Sequence, residues 1–425
     1  MPSLFPHRIS VPLLFLCSKA LQDVMQFTHP ADATLSRFFR QHGEAGRQDR
    51  ALVADTVYSA LRRWRLLQSV VPGGTSRQLV LLAWALLLGA GRDQLKNVCR
   101  PEESEWLERA VQPVAQAQAF EVACDLPDWV IAALRERFDE VELLRHARAF
   151  HAAAPLDLRI NLMKCRREEV IARLRAEGTE AVPTPYSPVG IRLAGNPAIN
   201  RHALFLAGEV EVQDEGSQLL SLMMEARRND MVVDFCAGAG GKTLALGAMM
   251  RSTGRLYALD ISARRLEKLK PRLVRSGLQN VHVQGIDGEG DVRLSRLAGK
   301  IDRVLVDAPC SGLGTLRRNP DLKMRQSPES VVELVVKQAD ILSAAAGLLK
   351  PGGRIVYATC SILAGENQGV VSAFLQRHPG FSLVPVQGIL DRQHIGLSMP
   401  TGMLELWPDE HGTDGFFAAV LERKA

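Results

Sequence analysis

The sequence predicts an α/β fold: a doubly wound sheet with helices on both faces, set behind a small α+β module and an all-helical amino-terminal region. Three observations carry that expectation. Beyond Glu211, seven apolar runs alternate with helix-like stretches, the rhythm of parallel strands joined by crossover helices. From about Leu21 to Phe150, apolar residues recur at three- and four-residue spacing and strand-like runs are few. Between these regions lies a short stretch of period two.

The 425 residues suffice for two or three domains with sizeable cores. A hydrophobic share of 46% and a charged share of 23% are ordinary for a soluble protein. The net charge is only +5, yet the basic residues cluster. Arg37, Arg40, Arg47, Arg50, Arg62, Arg63 and Arg65 form one group; a second runs from Arg251 to Arg275; Arg317, Arg318, Lys323 and Arg325 form a third. One cluster alone reads most simply as a solvated helix face, but three together favour a polyanionic partner. Seven scattered cysteines, with no Cys-x-x-Cys pair and no His-rich ligand spacing, argue against a disulfide framework and against a structural metal. They point to a reducing, cytoplasmic setting, with Cys17, Cys99, Cys124 and Cys165 as small buried hydrophobes.

In the helical region, Leu35, Phe38 and Phe39, then Leu52, Val53, Val57, Leu61 and Trp64, mark successive buried stripes. The run Leu79 to Gly91 is 13 residues, too short to cross a bilayer, and reads as a core helix; no membrane partner is expected. The stretch Arg8 to Cys17 has a faint look of a signal peptide. It carries one basic residue, an internal proline and no small-x-small site, so secretion is not expected. Next, Leu156 to Leu162 alternates with period two, Arg167 to Glu177 reads as an amphipathic helix and Pro183 to Gly195 is turn-rich, a β-α-β type module of about sixty residues. The seven runs of the sheet are Val232–Phe235, Leu256–Asp260, Val281–Gly285, Arg303–Asp307, Arg354–Thr359, Phe381–Val386 and Phe416–Leu421.

The first run passes through Asp234-Phe-Cys-Ala-Gly-Ala-Gly-Gly-Lys-Thr243 into an apolar helix, so a glycine turn precedes a helix N-terminus. A phosphate-binding P-loop needs glycine at position 236, where Cys236 stands, and a dinucleotide fingerprint needs glycine at position 243, where Thr243 stands. A nucleoside cofactor without a diphosphate remains. Asp260 closes the second run 19 residues past Gly241, the spacing of an acid that binds ribose hydroxyls, and Asp287 follows the third, where it could accept from an adenine amine. That set fits S-adenosylmethionine; a turn with incidental acids is the competing reading.

Two further strand ends carry cysteines, in Asp307-Ala-Pro-Cys310 and Tyr357-Ala-Thr-Cys360. The carboxyl ends of parallel strands are where ligands gather, so two thiols there, one behind an acid, point to covalent catalysis in a shared crevice.

Together these residues resemble the NOL/NOP/Sun family of RNA cytosine-C5 methyltransferases. The matching segments are DFCAGAGGKT (234–243), YALD (257–260), DAPCSGLGTLRRNPDLK (307–323), YATCS (357–361) and DGFFAAVLER (414–423). The catalytic half matches densely; EVQDEGSQL (211–219) and LRINL (158–162) match weakly, and the helical region at low density. Two departures stand out: Ala239 where the family usually has proline, and Ala364-Gly365-Glu366-Asn367 where it has Pro-Glu-Glu-Asn.

The resemblance implies a Rossmann-like, seven-stranded S-adenosylmethionine-dependent methyltransferase domain over 211–425. Before it would come a small α+β RNA-binding module over 129–210 and a reduced, all-α NusB-like domain over 1–128, the arrangement of bacterial 16S rRNA methyltransferases. Little sequence separates Leu88-Gly-Ala-Gly91 from Leu126-Pro-Asp-Trp129, so the helical part is shorter than the resemblance implies. By resemblance the cofactor is held by Cys236, Ala237, Gly238, Ala239, Gly240, Gly241, Lys242, Asp260, Asp287 and Asp307. Cys360 is the nucleophile, Cys310 assists release and Asp307 manages charge at cytosine N3. DNA cytosine methyltransferases use a Pro-Cys thiol, which keeps Cys310 open as the rival nucleophile. Cytosine C5 is a poor nucleophile until a thiolate adds to C6, which is why this chemistry wants a cysteine. The base must be unstacked, and Arg317, Arg318 and Lys323 are placed in sequence to hold flanking phosphates. The expected partner is RNA, ribosomal first and tRNA second, acted on by a monomer. A non-catalytic RNA-binding or ribosome-assembly factor is the reading from another class, against which the intact Asp307, Cys310 and Cys360 argue.

Overall fold

The first residues described fold into the helical core. The computed structural model describes residues 9–112 and 118–425; the beginning of the stretch examined as a signal peptide lies outside them. The rest of that stretch forms the helix Val11–Val24. Ser10 caps it by accepting from the Leu13 amide, and Leu14, Cys17, Ala20 and Leu21 are fully buried. Residues up to Ala153 together with Thr315–Pro328 make up one unit, and Ala154–Gly314 with Glu329–Ala425 a second.

In the first unit the apolar run at Leu79 becomes the helix Ser76–Leu86, whose Leu79 to Trp84 are all at 0% exposure. They pack with Leu14, Leu21, Val57 and Leu61 in one cluster. Trp84 is so deep that its indole N–H needs a protein partner, and it donates to Thr56 Oγ1 at 2.9 Å. Among the described residues no helix is long and apolar enough to cross a membrane. Three helices, Arg92–Lys96, Pro101–Val111 and Phe120–Cys124, occupy the stretch in which the sequence showed little. Asp128–Arg135 and Glu140–Ala149 precede the first strand, which begins at Leu156, and lie in the first of the two compact units.

Lys323 and Arg317 also belong to this unit, which corrects their expected place on an RNA-facing surface. Both are buried, at 7% and 6% exposure. Lys323 Nζ donates to Asp125 Oδ1 at 2.9 Å and to the carbonyls of Asp125 and Arg62 at 2.8 and 2.9 Å. The Arg317 carbonyl accepts from Arg62 Nη2 at 2.9 Å. A buried ammonium needs this many acceptors to offset its lost hydration. Of the three basic residues, Arg318 alone is half-exposed.

The second unit holds two sheets. A four-stranded antiparallel sheet has the order β2 (Ala181–Pro183), β3 (Gly190–Leu193), β1 (Leu156–Ile160), β4 (Val210–Val212). It is larger than the β-α-β module expected and closes at Val212, because Val210 to Val212 pair with Ile160 to Leu158. The main sheet runs β10 (Phe381–Val384), β12 (Phe416–Arg423), β9 (Leu349–Thr359), β8 (Ile301–Asp307), β5 (Met231–Asp234), β6 (Arg255–Asp260), β7 (Val281–Gly285). These are the seven runs of the sequence. β5 to β9 are parallel, while β12 lies antiparallel to both β9 and β10. An eighth strand, β11 (Leu404–Leu406), pairs with β12. The strand order reverses between β8 and β6 about β5, the switch point at which doubly wound sheets open a crevice.

Candidate active site

A cavity of about 510 Å³ lies at the carboxyl ends of β5, β6 and β8, lined among others by Asp234 to Ala239, Asp260, Asp307 to Cys310 and Cys360. That volume suits a nucleoside-sized ligand. The glycine turn leaves β5 and enters the helix Gly241–Met249. Gly240 sits at φ +84°, and a Cβ there would lie 2.0 Å from Leu269 Cδ1, so only glycine is tolerated. Two arginines hold the turn from outside: Arg159 on β1 donates to the Gly241 carbonyl at 2.7 Å, and Arg272 to the Ala239 carbonyl at 2.6 Å. Burial pushes Arg159 down to about 10. Its only trace in the sequence is a basic residue at an alternate position of the strand LDLRI, which also carries Asp157.

Asp260 has both carboxylate oxygens turned to backbone donors. Oδ2 accepts from Gly238 N–H at 2.8 Å and Oδ1 from Ser262 N–H at 2.7 Å. The side chain thus ties the glycine turn to β6 while lining the cavity, where Ile261 and Ile286 supply apolar walls. Asp234, given no role by the sequence, lies beneath the turn. Its Oδ2 accepts from Thr243 Oγ1 at 2.7 Å, but its buried Oδ1 has no hydrogen-bond partner. Burial, resisted by the Thr243 hydrogen bond, raises its carboxyl to about 7. An orphaned buried carboxylate oxygen facing a cavity is a seat for a cation. With glycine backbone, the Asp260 carboxylate and apolar walls, this donor set fits S-adenosylmethionine, which is cationic at its sulfonium and ammonium groups.

Asp287 does not join the site. Its side chain is 94% exposed and ion-paired with Arg293 at 2.8 Å, so the expected adenine acceptor is not placed at the cavity; Glu289 lines it instead. Cys236 lines the cavity, with burial pushing its thiol up.

At the other end of the cavity Cys310 and Cys360 stand with their sulfurs 3.4 Å apart. The hydrogen bond with Cys360 and burial, reinforced by the charges of Cys360 and Glu366, push the Cys310 thiol well up. Nearby, Lys242 Nζ donates to Asp307 Oδ2 at 2.7 Å. Burial works to lower Lys242, but the charge and hydrogen bond of Asp307 outweigh it and raise the ammonium, with Cys360 adding to the effect. The pair is asymmetric in its surroundings: Lys242 is coupled to Cys360, whereas burial and Cys360 itself push the Cys310 thiol up.

Comparison with known proteins agrees with this geometry. Residues 221–422 match the family model described as 16S rRNA methyltransferase RsmB/F, and residues 126–200 match the ferredoxin-like domain of RsmF/B-like methyltransferases. A probable ribosomal RNA small subunit methyltransferase B from Synechocystis is 34% identical over 70% of this chain and 66% of its own length. The Pseudomonas syringae pv. tomato ribosomal RNA small subunit methyltransferase B is 32% identical over 77% of this chain and 70% of its own. The chain thus spans about two thirds of the length of the curated relatives it matches. The crystal structure of PH0851 superposes with a TM-score of 0.79 at 25% identity, covering 98% of this chain and 100% of that one.

Proposed function

Because the chain belongs to the RsmB/F family of 16S rRNA methyltransferases, we propose that it methylates C5 of a cytosine in ribosomal RNA, with Cys360 as covalent nucleophile. One observation carries the reading most directly: two thiols 3.4 Å apart in a cavity that also holds the Lys242–Asp307 pair. A plain methyl transfer to an amine or hydroxyl needs no such thiol pair.

S-adenosylmethionine, the cofactor, supplies an electrophilic methyl group when bound. The protein's residues supply the rest. Asp234 and Asp260 would hold the ammonium and the ribose. Cys360 adds through Sγ to C6 of the unstacked base; the C5=C6 π pair moves to C4–C5, the C4=N3 pair moves onto N3, and N3 takes a proton from the Lys242–Asp307 pair. Once C5 carries the methyl group, H5 leaves as a proton to water, its bonding pair re-forms C5=C6, the Sγ–C6 pair returns to Cys360, and N3 gives its proton back to the Lys242–Asp307 pair. The protonated Cys310 thiol is positioned to hydrogen-bond that departing thiolate. The same burial disfavours Cys310 as the attacking group, since the thiolate is the nucleophile.

Bisulfite sequencing of total RNA from a strain lacking this chain should show loss of a 5-methylcytosine in small-subunit ribosomal RNA, restored by the wild-type chain but not by Cys360→Ala. A complete set of ribosomal 5-methylcytosines in the deletion strain, with a loss in tRNA, would move the activity to that substrate.

A further inference from the structure

Glu366 is fully buried, yet it does not line the cavity and, among the described residues, pairs with no cation. Its carboxylate takes four hydrogen bonds. Oε1 accepts from the Ser311 amide at 2.8 Å and from Gln338 Nε2 at 3.0 Å. Oε2 accepts from the Ser311 hydroxyl at 2.5 Å and from the Ser361 hydroxyl. Ser311 follows Cys310 and Ser361 follows Cys360, so one side chain grips both cysteine loops. The grip extends further. Gln338 also donates to the Pro309 carbonyl at 2.9 Å, and Tyr357 Oη donates to the Glu366 carbonyl at 2.6 Å. Asn367 joins Thr359 to the Ser361 carbonyl, with contacts of 2.5 and 2.9 Å.

A carboxylate buried without a counter-ion is costly, and neutral donors only partly offset that cost. Apolar side chains could fill the same volume more simply. What they could not do is register two loops from different strands and leave a negative charge beneath one of them.

We propose that Glu366 is the positioning residue of the thiol pair: it fixes the spacing of the Cys310 and Cys360 loops by holding Ser311 and Ser361 on one buried carboxylate. This rests on the covalent mechanism proposed above. The groups facing Cys310 fit the assignment. Cys360 stands on one side and Glu366 below, with Tyr357 also near; Lys242, Asp307 and the exposed Lys337 line the shared cavity. Lys242 is coupled to Cys360 and Glu366 to Cys310.

Glu366→Gln in the full chain tests the proposal. The amide oxygen can face the Ser311 and Gln338 donors while the two serine hydroxyls turn to accept from its NH₂, so the hydrogen-bonded frame persists without the charge. Affinity for S-adenosylhomocysteine by calorimetry should stay at wild type, and KM for RNA should hold. The kcat should fall only severalfold, because the loops keep their spacing and the charge alone is lost; the roughly tenfold to hundredfold loss of a misplaced reacting group is expected of Glu366→Asp. The pH midpoint for iodoacetamide alkylation of Cys310, read by peptide mass spectrometry, should drop by about one pH unit. Unchanged kcat and an unchanged midpoint would overturn the proposal. Should Glu366→Gln not fold, Glu366→Asp serves: it keeps the charge at shorter reach, so kcat should fall while the Cys310 midpoint stays, and a midpoint that moves would overturn it. Alkylation needs no RNA, so a wild-type chain that methylates nothing would fail the functional reading without touching this one.

Discussion

Replacing Asp260 by alanine separates two roles that the structure gives one side chain. Its carboxylate accepts from the amides of Gly238 and Ser262 and lies against the cofactor cavity. The Gly238 amide is buried, so alanine leaves it without an acceptor at a cost of about 1–3 kcal/mol of stability. The half-buried Ser262 amide can turn to water and adds less. Cofactor affinity should suffer separately. A lost hydrogen bond between a charged group and ligand costs about 1.5–3 kcal/mol, or roughly a tenfold to hundredfold weakening. Asparagine makes the contrast sharp: its carbonyl oxygen can still serve Gly238, so stability should recover most of the way while the ribose still loses its carboxylate. Urea unfolding would read the first quantity, and calorimetric titration with S-adenosylhomocysteine the second. Wild-type affinity in Asp260→Ala would remove Asp260 from the cofactor site and refute the reasoning.

Asp234→Asn should behave in the opposite way towards pH. Burial raises this carboxyl from 3.8 to about 7, so its contribution to stability is full below about 3.8 and is lost as pH rises through about 7. The variant should therefore gain up to about 4 kcal/mol on the wild type above that point in urea unfolding, yet bind the cofactor more weakly. Lys323→Ala should destabilise the helical unit by about 3 kcal/mol, since it strands the buried Asp125 carboxylate with Arg63 as its remaining cationic neighbour at 3.4 Å. The salt slope of RNA binding should not move in that variant. Arg318→Ala should lower that slope by about 1, the share of one phosphate contact, as measured by titration at several salt concentrations.

The parts of this molecule legible in its sequence are those with local causes. The parallel strands β5 to β9 were visible as apolar runs, and the antiparallel β12 because its first six residues are all buried; β11 was not, since three residues on an antiparallel edge carry no such signature. The glycine turn, Asp260 and the two cysteines stand at strand ends in the sequence, and the structure brings all of them to the lining of one cavity. Lys323 was misread because a lysine in a basic run looks solvated, and its partner Asp125 lies 198 positions away. Asp287 failed for a similar reason: the spacing was right, but Arg293 six residues on draws the carboxylate outward. Glu366 left a trace as the remnant of a motif, but its four hydrogen bonds join three chain segments and could only be seen in the fold.

The central claim, that Cys360 attacks and Cys310 releases, meets its most direct test in Cys310→Ala incubated with substrate RNA and S-adenosylmethionine. The account predicts a protein–RNA adduct that survives denaturation and maps, after digestion and mass spectrometry, to the peptide carrying Cys360. An adduct that forms instead in Cys360→Ala and maps to Cys310 would contradict it.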